Sequence, residues 1–166
     1  MLVEVKVAHL GLEPSSNSPI VILQEKDGDR VLPIWIGPNE ANAIAMELAD
    51  MKFARPLTHD LLRQVILGLG AELNQVRILD MRQNTYYAQL ELRRNGEVVQ
   101  IDARPSDSIA IALRFEAPIF ANEELLGENT AEEIVPEDPP SEPLDKETLQ
   151  NRLRDLNPED FGKFIP

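Results

Sequence analysis

The most informative segment of this chain is Ile-Asp-Ala-Arg-Pro-Ser-Asp-Ser-Ile-Ala-Ile-Ala-Leu, at residues 101–113. It runs from the end of a predicted strand, through a polar turn, into an almost wholly apolar helix. Pro105 excludes Arg104 from the helical region. Ser106 is a favourable N-cap, and the negative charge of Asp107 suits a first helical turn. The sequence therefore predicts a buried helix that begins at Ser106 and keeps the polar turn at one edge of the core.

The same layout occurs 67 residues earlier, where Ile-Trp-Ile-Gly-Pro-Asn-Glu, at residues 34–40, precedes a second apolar helix. The two segments share a proline, an N-cap residue and an acid: Pro38, Asn39 and Glu40 correspond to Pro105, Ser106 and Asp107. One explanation is chance, because caps and apolar helices are common. We favour an internal duplication.

Composition restricts the class of protein. The chain has 166 residues, 43% of them hydrophobic, which is enough for one core and short for two. It contains no apolar run long enough to cross a membrane, and residues 1–7 alternate in polarity instead of forming an export signal. We therefore expect a soluble, cytoplasmic protein that does not bind a membrane. The absence of cysteine excludes disulfides and thiolate metal sites.

The chain is acidic, and its acids are concentrated near the end. The net charge is −13; residues 128–166 hold 11 acids and 4 bases, whereas residues 1–127 hold 18 acids and 12 bases. A tight nucleic-acid binder gains most of its affinity from Lys and Arg contacts with phosphates. Any contact of this protein with nucleic acid is therefore expected to be transient, local or metal-assisted.

Alternating polarity and turn signals predict an α+β fold with largely antiparallel strands and helices packed on the sheet. Strands are expected at residues 3–7, 20–23, 31–36, 73–81, 86–92 and 98–103. Helices are expected from Asn39, Thr58 and Ser106, followed by a short extended piece at residues 118–120 and a short helix capped by Asn122. The order is β-β-β-α-α, twice. The second helix is expected to carry its apolar residues on one stripe, made of Leu61, Leu62, Val65, Ile66 and Leu69.

The chain divides into three parts. We expect one domain at residues 1–127, an acidic proline-rich linker at 128–143 and a short helical segment at 144–166. Leucines can line one side of that last helix, at Leu144, Leu149, Leu153 and Leu156. This acidic C-terminal segment is either a solvated helix or one that docks on the domain or on a protein partner. A strand at residues 3–7 on a sheet edge would also permit a homo-oligomer.

Two arginines precede helix starts. Arg55 and Arg104 are each followed by proline, and the helices begin near Thr58 and Ser106. A helix N-terminus offers free N–H groups and positive potential to a phosphate, and an adjacent arginine can bind the same anion through two hydrogen bonds. The alternative is that each arginine pairs with the acid in the first turn of its own helix.

Carboxylates at strand ends or in first helical turns are candidates for a metal site: Glu40, Asp60, Asp102 and Asp107. Oxygen ligands from such positions suit Mg²⁺ or Mn²⁺ if they converge. Acids in first turns are also ordinary partners of the helix dipole, a role that needs no metal. Asp102 is the exception, because it ends a strand and caps no helix.

His59 lies in the first turn of the second helix, where the positive potential favours a neutral imidazole. A neutral imidazole can act as a general base or as a hydrogen-bond donor. The alternative is a structural histidine. The sequence has no Gly-rich phosphate loop, nucleophile elbow or two-histidine metal motif.

Three separated motifs occur in one order along the chain. They are Pro-Ile-Trp-Ile-Gly at residues 33–37 followed by Glu40-Ala41, Arg-Pro-Leu-Thr-His-Asp-Leu at 55–61, and Ile-Asp-Ala-Arg-Pro-Ser-Asp-Ser-Ile-Ala at 101–110. Together they resemble the bifunctional nuclease family, a group of small domains described as cutting both DNA and RNA. The resemblance extends from about Val3 to Glu124. Ser108 stands where the family usually has alanine, a difference at a helix position that carries no chemistry.

The resemblance implies a duplicated β-β-β-α-α arrangement and hydrolysis of phosphodiester bonds, with DNA or RNA as a transient substrate. We assign candidate roles to the residues that match the motifs. The metal ligands for Mg²⁺ or Mn²⁺ are Glu40, Asp60, Asp102 and Asp107. The scissile phosphate is bound by Arg55 and Arg104, with Thr58 and Ser106 as further substrate contacts. His59 activates water. With the roles given above, the candidate catalytic residues are His59, Asp102, Arg55 and Arg104.

A second hypothesis comes from another class of protein. The chain is then a non-enzymatic regulatory module whose arginines hold an anionic metabolite and whose acidic tail engages a protein partner. The net charge of −13 favours this hypothesis.

Overall fold

The computed structural model describes residues 1–128 and Ile134, and within them it shows an α+β fold. The strands are β1 (Leu2–Leu12), β2 (Pro19–Glu25), β3 (Val31–Trp35), β4 (Ala71–Arg82), β5 (Thr85–Arg94), β6 (Glu97–Ala103) and β7 (Ile119–Asn122). The helices are α1 (Pro38–Leu48), α2 (Thr58–Gly68) and α3 (Pro105–Phe115), followed by a 3-10 helix at Glu123–Leu125. The predicted fold class is confirmed. No helix in this part of the chain is long and apolar enough to cross a membrane.

One seven-stranded sheet runs in the order β3-β2-β1-β7-β4-β5-β6. The first three strands form one antiparallel meander, and β4, β5 and β6 form another. Strand β7 lies between the two, antiparallel to β1 and parallel to β4, and Ile119 pairs with both Val5 and Val76. The predicted short extended piece is therefore the strand that joins the two meanders into one sheet.

The predicted second unit differs from the first. Helix α3 is followed by β7 and a 3-10 helix, whereas α1 is followed by another α-helix. Asn122 does cap the last element, because its side chain accepts a hydrogen bond from the N–H of Glu124. The duplication of a β-β-β-α-α unit remains a hypothesis, since the described residues contain only one complete copy of that order.

Helix α3 lies at the centre of the domain, packed against α1, α2, β4 and β5. Its apolar residues have no solvent exposure from Ile109 to Ala112. Burial of the apolar surface of this stretch stabilises the folded state by about 25 cal/mol per Å². The buried helix predicted from residues 101–113 is confirmed.

Two of the predicted helix starts are wrong by one or two residues. The N-cap of α3 is Arg104, not Ser106, and the N-cap of α1 is Gly37, not Asn39. In both helices the proline occupies the first helical position, because its fixed φ is already helical and its missing N–H would have no partner there. Ser106 is consequently inside the helix and buried, with 7% exposure.

The apolar stripe predicted for α2 is mostly exposed. Ile66 is buried at 6% exposure, but the other members are exposed: Leu61 53%, Leu62 38%, Val65 47% and Leu69 61%. Helix α2 packs against α3 and β4, and Ile66 is its one buried residue, so most of its apolar side chains lie outside the core. The periodicity predicted which face of the helix is apolar, but it carries no information about what covers that face.

The sheet curls so that strands far apart in its order meet. The hydroxyl of Tyr86, at the start of β5, donates a hydrogen bond of 3.2 Å to the carbonyl oxygen of Pro33 on β3. Burial raises the pKa of this phenol above its ordinary value, so it stays protonated as a donor. The contact places the β4–β5 turn beside the end of β3.

A second cluster lies on the other side of β2. Along that strand Val21 and Leu23 belong to the main core, whereas Ile20 and Ile22 form a separate cluster with Val31. Ile134 packs against this cluster, which extends the domain's apolar contacts beyond the predicted boundary at residue 127. The linker at 128–143 and the helical segment at 144–166 otherwise lie outside the described residues.

Replacing Ile134 by Ala is expected to lower the free energy of unfolding by about 1–2 kcal/mol, because a half-buried aliphatic side chain leaves the second cluster. The measurement is denaturant unfolding of the full chain. Leu69→Ala is the control, since Leu69 is exposed. An equal loss in both variants would contradict a specific contact of Ile134.

Candidate active site

The starts of all three helices converge at the end of β6. They line a cleft of about 1100 Å³, here called the Arg104 cleft, together with apolar residues of α2, β5 and β6. Its charged and titratable wall consists of Glu40, His59, Asp102, Arg104, Asp107 and Arg114. Five other residues predicted from the sequence to act on a substrate or metal line the cleft with Arg104: Glu40, Thr58, His59, Asp102 and Asp107.

Arg104 bridges α1 and α3. Its Nε donates to Asp107 Oδ2 at 2.7 Å, and its Nη2 donates to Glu40 Oε1 at 2.8 Å. The backbone of Gly37 makes room for this arrangement, because a side chain there would collide with Glu40 Oε2. A cation therefore does lie between the two carboxylates, and it is a guanidinium of the protein. The predicted pairing of Arg104 with the acid of its own helix is observed.

Asp107 also contacts α2. Its Oδ1 lies 3.0 Å from His59 Nε2, and the His59 side chain is only 13% exposed. Burial raises the pKa of the Asp107 carboxyl, but hydrogen bonds from Arg104 and His59 outweigh burial, so the pKa lies below its ordinary value. Asp107 is thus an ionised acceptor that holds the imidazole in one orientation. Within residues 1–128 no hydrogen bond reaches His59 Nδ1.

Arg114 ties the three helices together beneath the cleft. Its side chain is 4% exposed, and its Nε donates to Asp60 Oδ1 at 2.6 Å. Its Nη1 donates to the carbonyl oxygens of Ala43 on α1 and Ala110 on α3. The other oxygen of Asp60 accepts the N–H of Leu57 at the start of α2. Arg114 therefore fixes the N-terminal turn of α2, which carries His59, against α1 and α3.

The sequence interpretation missed Arg114. The only signal for it is its position, since it is the one charged residue within α3 after the first turn of an otherwise apolar helix. A buried charge requires partners, because desolvating an unpaired guanidinium is costly. That requirement identifies Arg114 as important for packing. It does not show which residues are the partners of the guanidinium.

The remaining predicted residues are distributed unevenly. Asp102 is exposed in the cleft wall, and its carboxylate has no hydrogen bond or ion pair within residues 1–128. Thr58 is exposed in the same wall, at the first residue of α2. Ser106 is absent from this wall and lines a separate depression. Arg55 is exposed outside the cleft, and no side chain of the described part of the chain pairs with it, including Asp60.

The carboxylates do not form a ready metal site. In residues 1–128, no group of three or more His, Asp or Glu side chains is arranged to hold a metal ion. Glu40 and Asp107 are bound by Arg104, and Asp60 is bound by Arg114. Asp102 is the carboxylate of the cleft that keeps both oxygens available. The assignment of Glu40, Asp60 and Asp107 as metal ligands stays a prediction, and it would require the arginines to release them.

Comparison with known proteins identifies the family. The model of the bifunctional nuclease domain matches residues 21–133. An uncharacterized protein of Mycobacterium tuberculosis is 42% identical over 164 residues, covering 95% of this chain and 97% of the relative. Bifunctional nuclease 1 of Arabidopsis thaliana is 32% identical over 111 residues, covering 64% of this chain and 34% of the relative. Bifunctional nuclease 1 of Oryza sativa subsp. japonica is 29% identical over 131 residues, covering 76% and 40%.

The fold and the cleft thus belong to a small α+β domain with an arginine, a histidine and several acids at converging helix starts. The chain is a member of the bifunctional nuclease domain family, as the three sequence motifs predicted. It spans well under half the length of the plant relatives.

Arg114→Met is expected to lower the free energy of unfolding by about 3 kcal/mol, because it leaves the Asp60 carboxylate beside a buried apolar group. Arg82→Met is the matched control. Arg82 Nε also lies 2.6 Å from an aspartate oxygen, but its side chain is 71% exposed, and the expected loss is below about 1 kcal/mol. Denaturant unfolding measures both, and similar losses would show that burial adds nothing to the Arg114 pair.

Acid is expected to weaken the domain through Asp60 and Asp107. Burial raises the pKa of Asp60 too, but the hydrogen bonds from Arg114 and Leu57 lower it further. Since both folded-state pKa values lie below the unfolded value of about 3.9, the stabilisation is complete at neutral pH and is lost as the pH falls below about 4. Thermal melting between pH 6 and pH 2.5 should show a smaller decline for Asp107→Asn than for the native sequence. Parallel declines would contradict the assignment.

Proposed function

We propose that this protein hydrolyses phosphodiester bonds of DNA and RNA in the Arg104 cleft. The observation that carries the proposal is that Arg104 and His59 lie in one cleft. Arg104 keeps some of its N–H donors free, and His59 is hydrogen-bonded to Asp107. The names of the plant relatives support the same activity.

Arg104 is suited to bind the scissile phosphate. A guanidinium has five N–H donors. Arg104 uses one on Glu40 and one on Asp107, which leaves three for an anion, and its side chain is 65% exposed. Because two acids fix the guanidinium beforehand, little reorganisation is needed when charge develops on the phosphate oxygens.

His59 is suited to activate water. With its Nε2–H donated to Asp107, the lone pair of the neutral imidazole lies on Nδ1. In that tautomer Nδ1 accepts the proton of the water as its oxygen bonds to phosphorus and the P–O bond to the leaving oxygen breaks. Asp107 stabilises the imidazolium that forms, and the leaving oxygen takes its proton from solvent. Arg114 acts indirectly, because it holds the first turn of α2 in place.

A divalent cation is proposed to enter with the substrate. The cleft carries three acids, Glu40, Asp102 and Asp107, against Arg104 alone, since Arg114 is balanced by Asp60. A phosphodiester anion meets an excess of negative charge there. Mg²⁺ commonly keeps several waters and binds through one or two carboxylates plus substrate phosphates, so Asp102 would suffice as its protein ligand. The ion would supply positive charge to the phosphate.

The alternative function is a regulatory module that binds an anionic metabolite or a protein without cleaving anything. The acid excess in the cleft favours it over catalysis on a polyanion. Association with a second copy or another protein is also proposed, because α2 exposes the apolar side chains of Leu61, Val65 and Leu69. An apolar stripe of this kind is typical of a surface that is covered in an assembly.

Cleavage of labelled single-stranded DNA and RNA by the purified full chain tests the proposal, with Mg²⁺, with Mn²⁺ and with EDTA. Arg104→Met and His59→Gln are each expected to lower kcat/KM about 100-fold or more. Asp102→Asn should remove the response to metal. Arg55→Met is the control, because Arg55 lies outside the cleft, and it should retain the native rate.

Unchanged cleavage in Arg104→Met and His59→Gln would show that the activity comes from another site or from a contaminating nuclease. Substrate binding without turnover in the native chain would favour the regulatory module. Cleavage that survives EDTA and Asp102→Asn would remove the metal from the proposal while leaving Arg104 and His59 in place.

A further inference from the structure

Arg104 lines a second depression as well as the cleft. This depression has a volume of about 400 Å³ and is here called the Trp35 depression. Its walls come from the end of β3, the β4–β5 turn and the first turn of α3, and they include Trp35, Asn84, Thr85 and Ser106. A phosphate held by Arg104 would therefore have this depression beside it.

Trp35 offers an aromatic surface to solvent. On β3, Leu32 and Ile34 belong to the main core, so Trp35 points to the opposite side of the sheet. Its partner across the ladder is Ile20, which is fully buried, yet Trp35 is 50% exposed. Trp35 and Arg104 line the same depression, and an indole left half exposed there is suited to stack on a planar ring.

Three polar side chains that have no hydrogen-bond partner among the described residues line the same depression as this indole. The side chains of Asn84, Thr85 and Ser106 form no hydrogen bonds with the residues that the structure describes. The amide of Asn84 provides both donors and an acceptor, and the hydroxyls provide either. Such a set can pair with the edge of a nucleobase without requiring one particular base.

The depression is held in shape before any ligand arrives. Asn84 has a left-handed backbone, with φ of 59°, as does Gln83 before it, which is typical of a tight hairpin turn. The bond from Tyr86 to the Pro33 carbonyl fixes this turn against β3. The distance between the indole and the turn is therefore set by the fold.

We propose that the Trp35 depression is a nucleobase subsite, in which Trp35 stacks on the base next to the phosphate bound by Arg104. This inference rests on the proposed nuclease function and narrows its substrate to single strands, because a paired base within a duplex has no free face. Stacking tolerates any base and either sugar. It also depends little on salt, which suits a chain with a net charge of −13 that cannot rely on a basic surface.

The chain contains a single tryptophan, so emission excited at the red edge of the absorption band, where tyrosine does not absorb, reports on Trp35 alone. The full chain is titrated in EDTA with a nucleoside 5′-monophosphate, inorganic phosphate, a single-stranded oligonucleotide and its blunt duplex, with correction for absorbance. The single strand and the mononucleotide are expected to change the emission saturably. Inorganic phosphate and the duplex are expected to leave it unchanged. A change with duplex equal to that with single strand would overturn the proposal.

Cleavage kinetics provide the second measurement. Trp35→Leu is expected to raise KM for a single-stranded substrate about 10-fold with kcat within about 2-fold, and Trp35→Phe should restore most of the loss. Tyr87→Leu is the control, because Tyr87 is also an exposed aromatic residue but lies outside the depression. The melting temperature of each variant confirms that it is folded.

The two proposals fail in different ways. If the chain cleaves single strands but neither the emission nor the KM depends on Trp35, the subsite is wrong and the nuclease function stands. If the chain cleaves nothing, yet mononucleotides change the emission of Trp35 and Arg104→Met abolishes that change, the subsite stands and the nuclease function is wrong. No emission change with any nucleotide, at concentrations that saturate cleavage, overturns the subsite.

Discussion

The burial of α3 constrains the rest of the domain. Its middle turns present apolar side chains in every direction, so each side must meet another element. The curled sheet covers one side, and α1 and α2 cover others. Alanines such as Ala110 and Ala112 let neighbouring backbones approach closely, which is how Arg114 reaches the carbonyl oxygen of Ala43 as well as that of its own helix.

The site follows from that packing. When two helices pack side by side with their starts at the same end, the acids in their first turns come close together, and their repulsion has to be balanced. In this protein Arg104 balances it. An arginine is covalently held and permanently charged, so the arrangement of Glu40 and Asp107 does not depend on a bound ion. The same guanidinium keeps donors free, which gives one residue both a structural and a chemical role.

Much of the fold could be predicted because it is encoded locally. Strand alternation, hairpin turns at Asn95-Gly96 and the apolar character of α3 all lie within short windows. The position of β7 between β1 and β4 could not be predicted, because it depends on pairing between residues more than a hundred positions apart. The exposure of α2 was missed for a related reason, since periodicity identifies an apolar face and not its neighbour.

The candidate site, like the fold, could be predicted only where it is encoded locally. The turns that contain proline indicated Arg104, Asp107 and Glu40 as candidate site residues. The two carboxylates indicated that they share a cation. The identity of that cation depends on side-chain reach across helices, which no local pattern contains. Arg114 and its partner Asp60 are separated by 54 residues, so a motif search treats them as unrelated.

The place of β7 has a consequence for how the chain folds. Strands β1 and β4 are inner strands of the finished sheet, but each keeps an unpaired edge until residues 119–122 arrive between them. During synthesis β7 cannot pair with β1 and β4 until nearly all of the domain has left the ribosome. The pairing of β1 with β7 also gives the fold a high contact order. During that interval two long open edges are available to other chains.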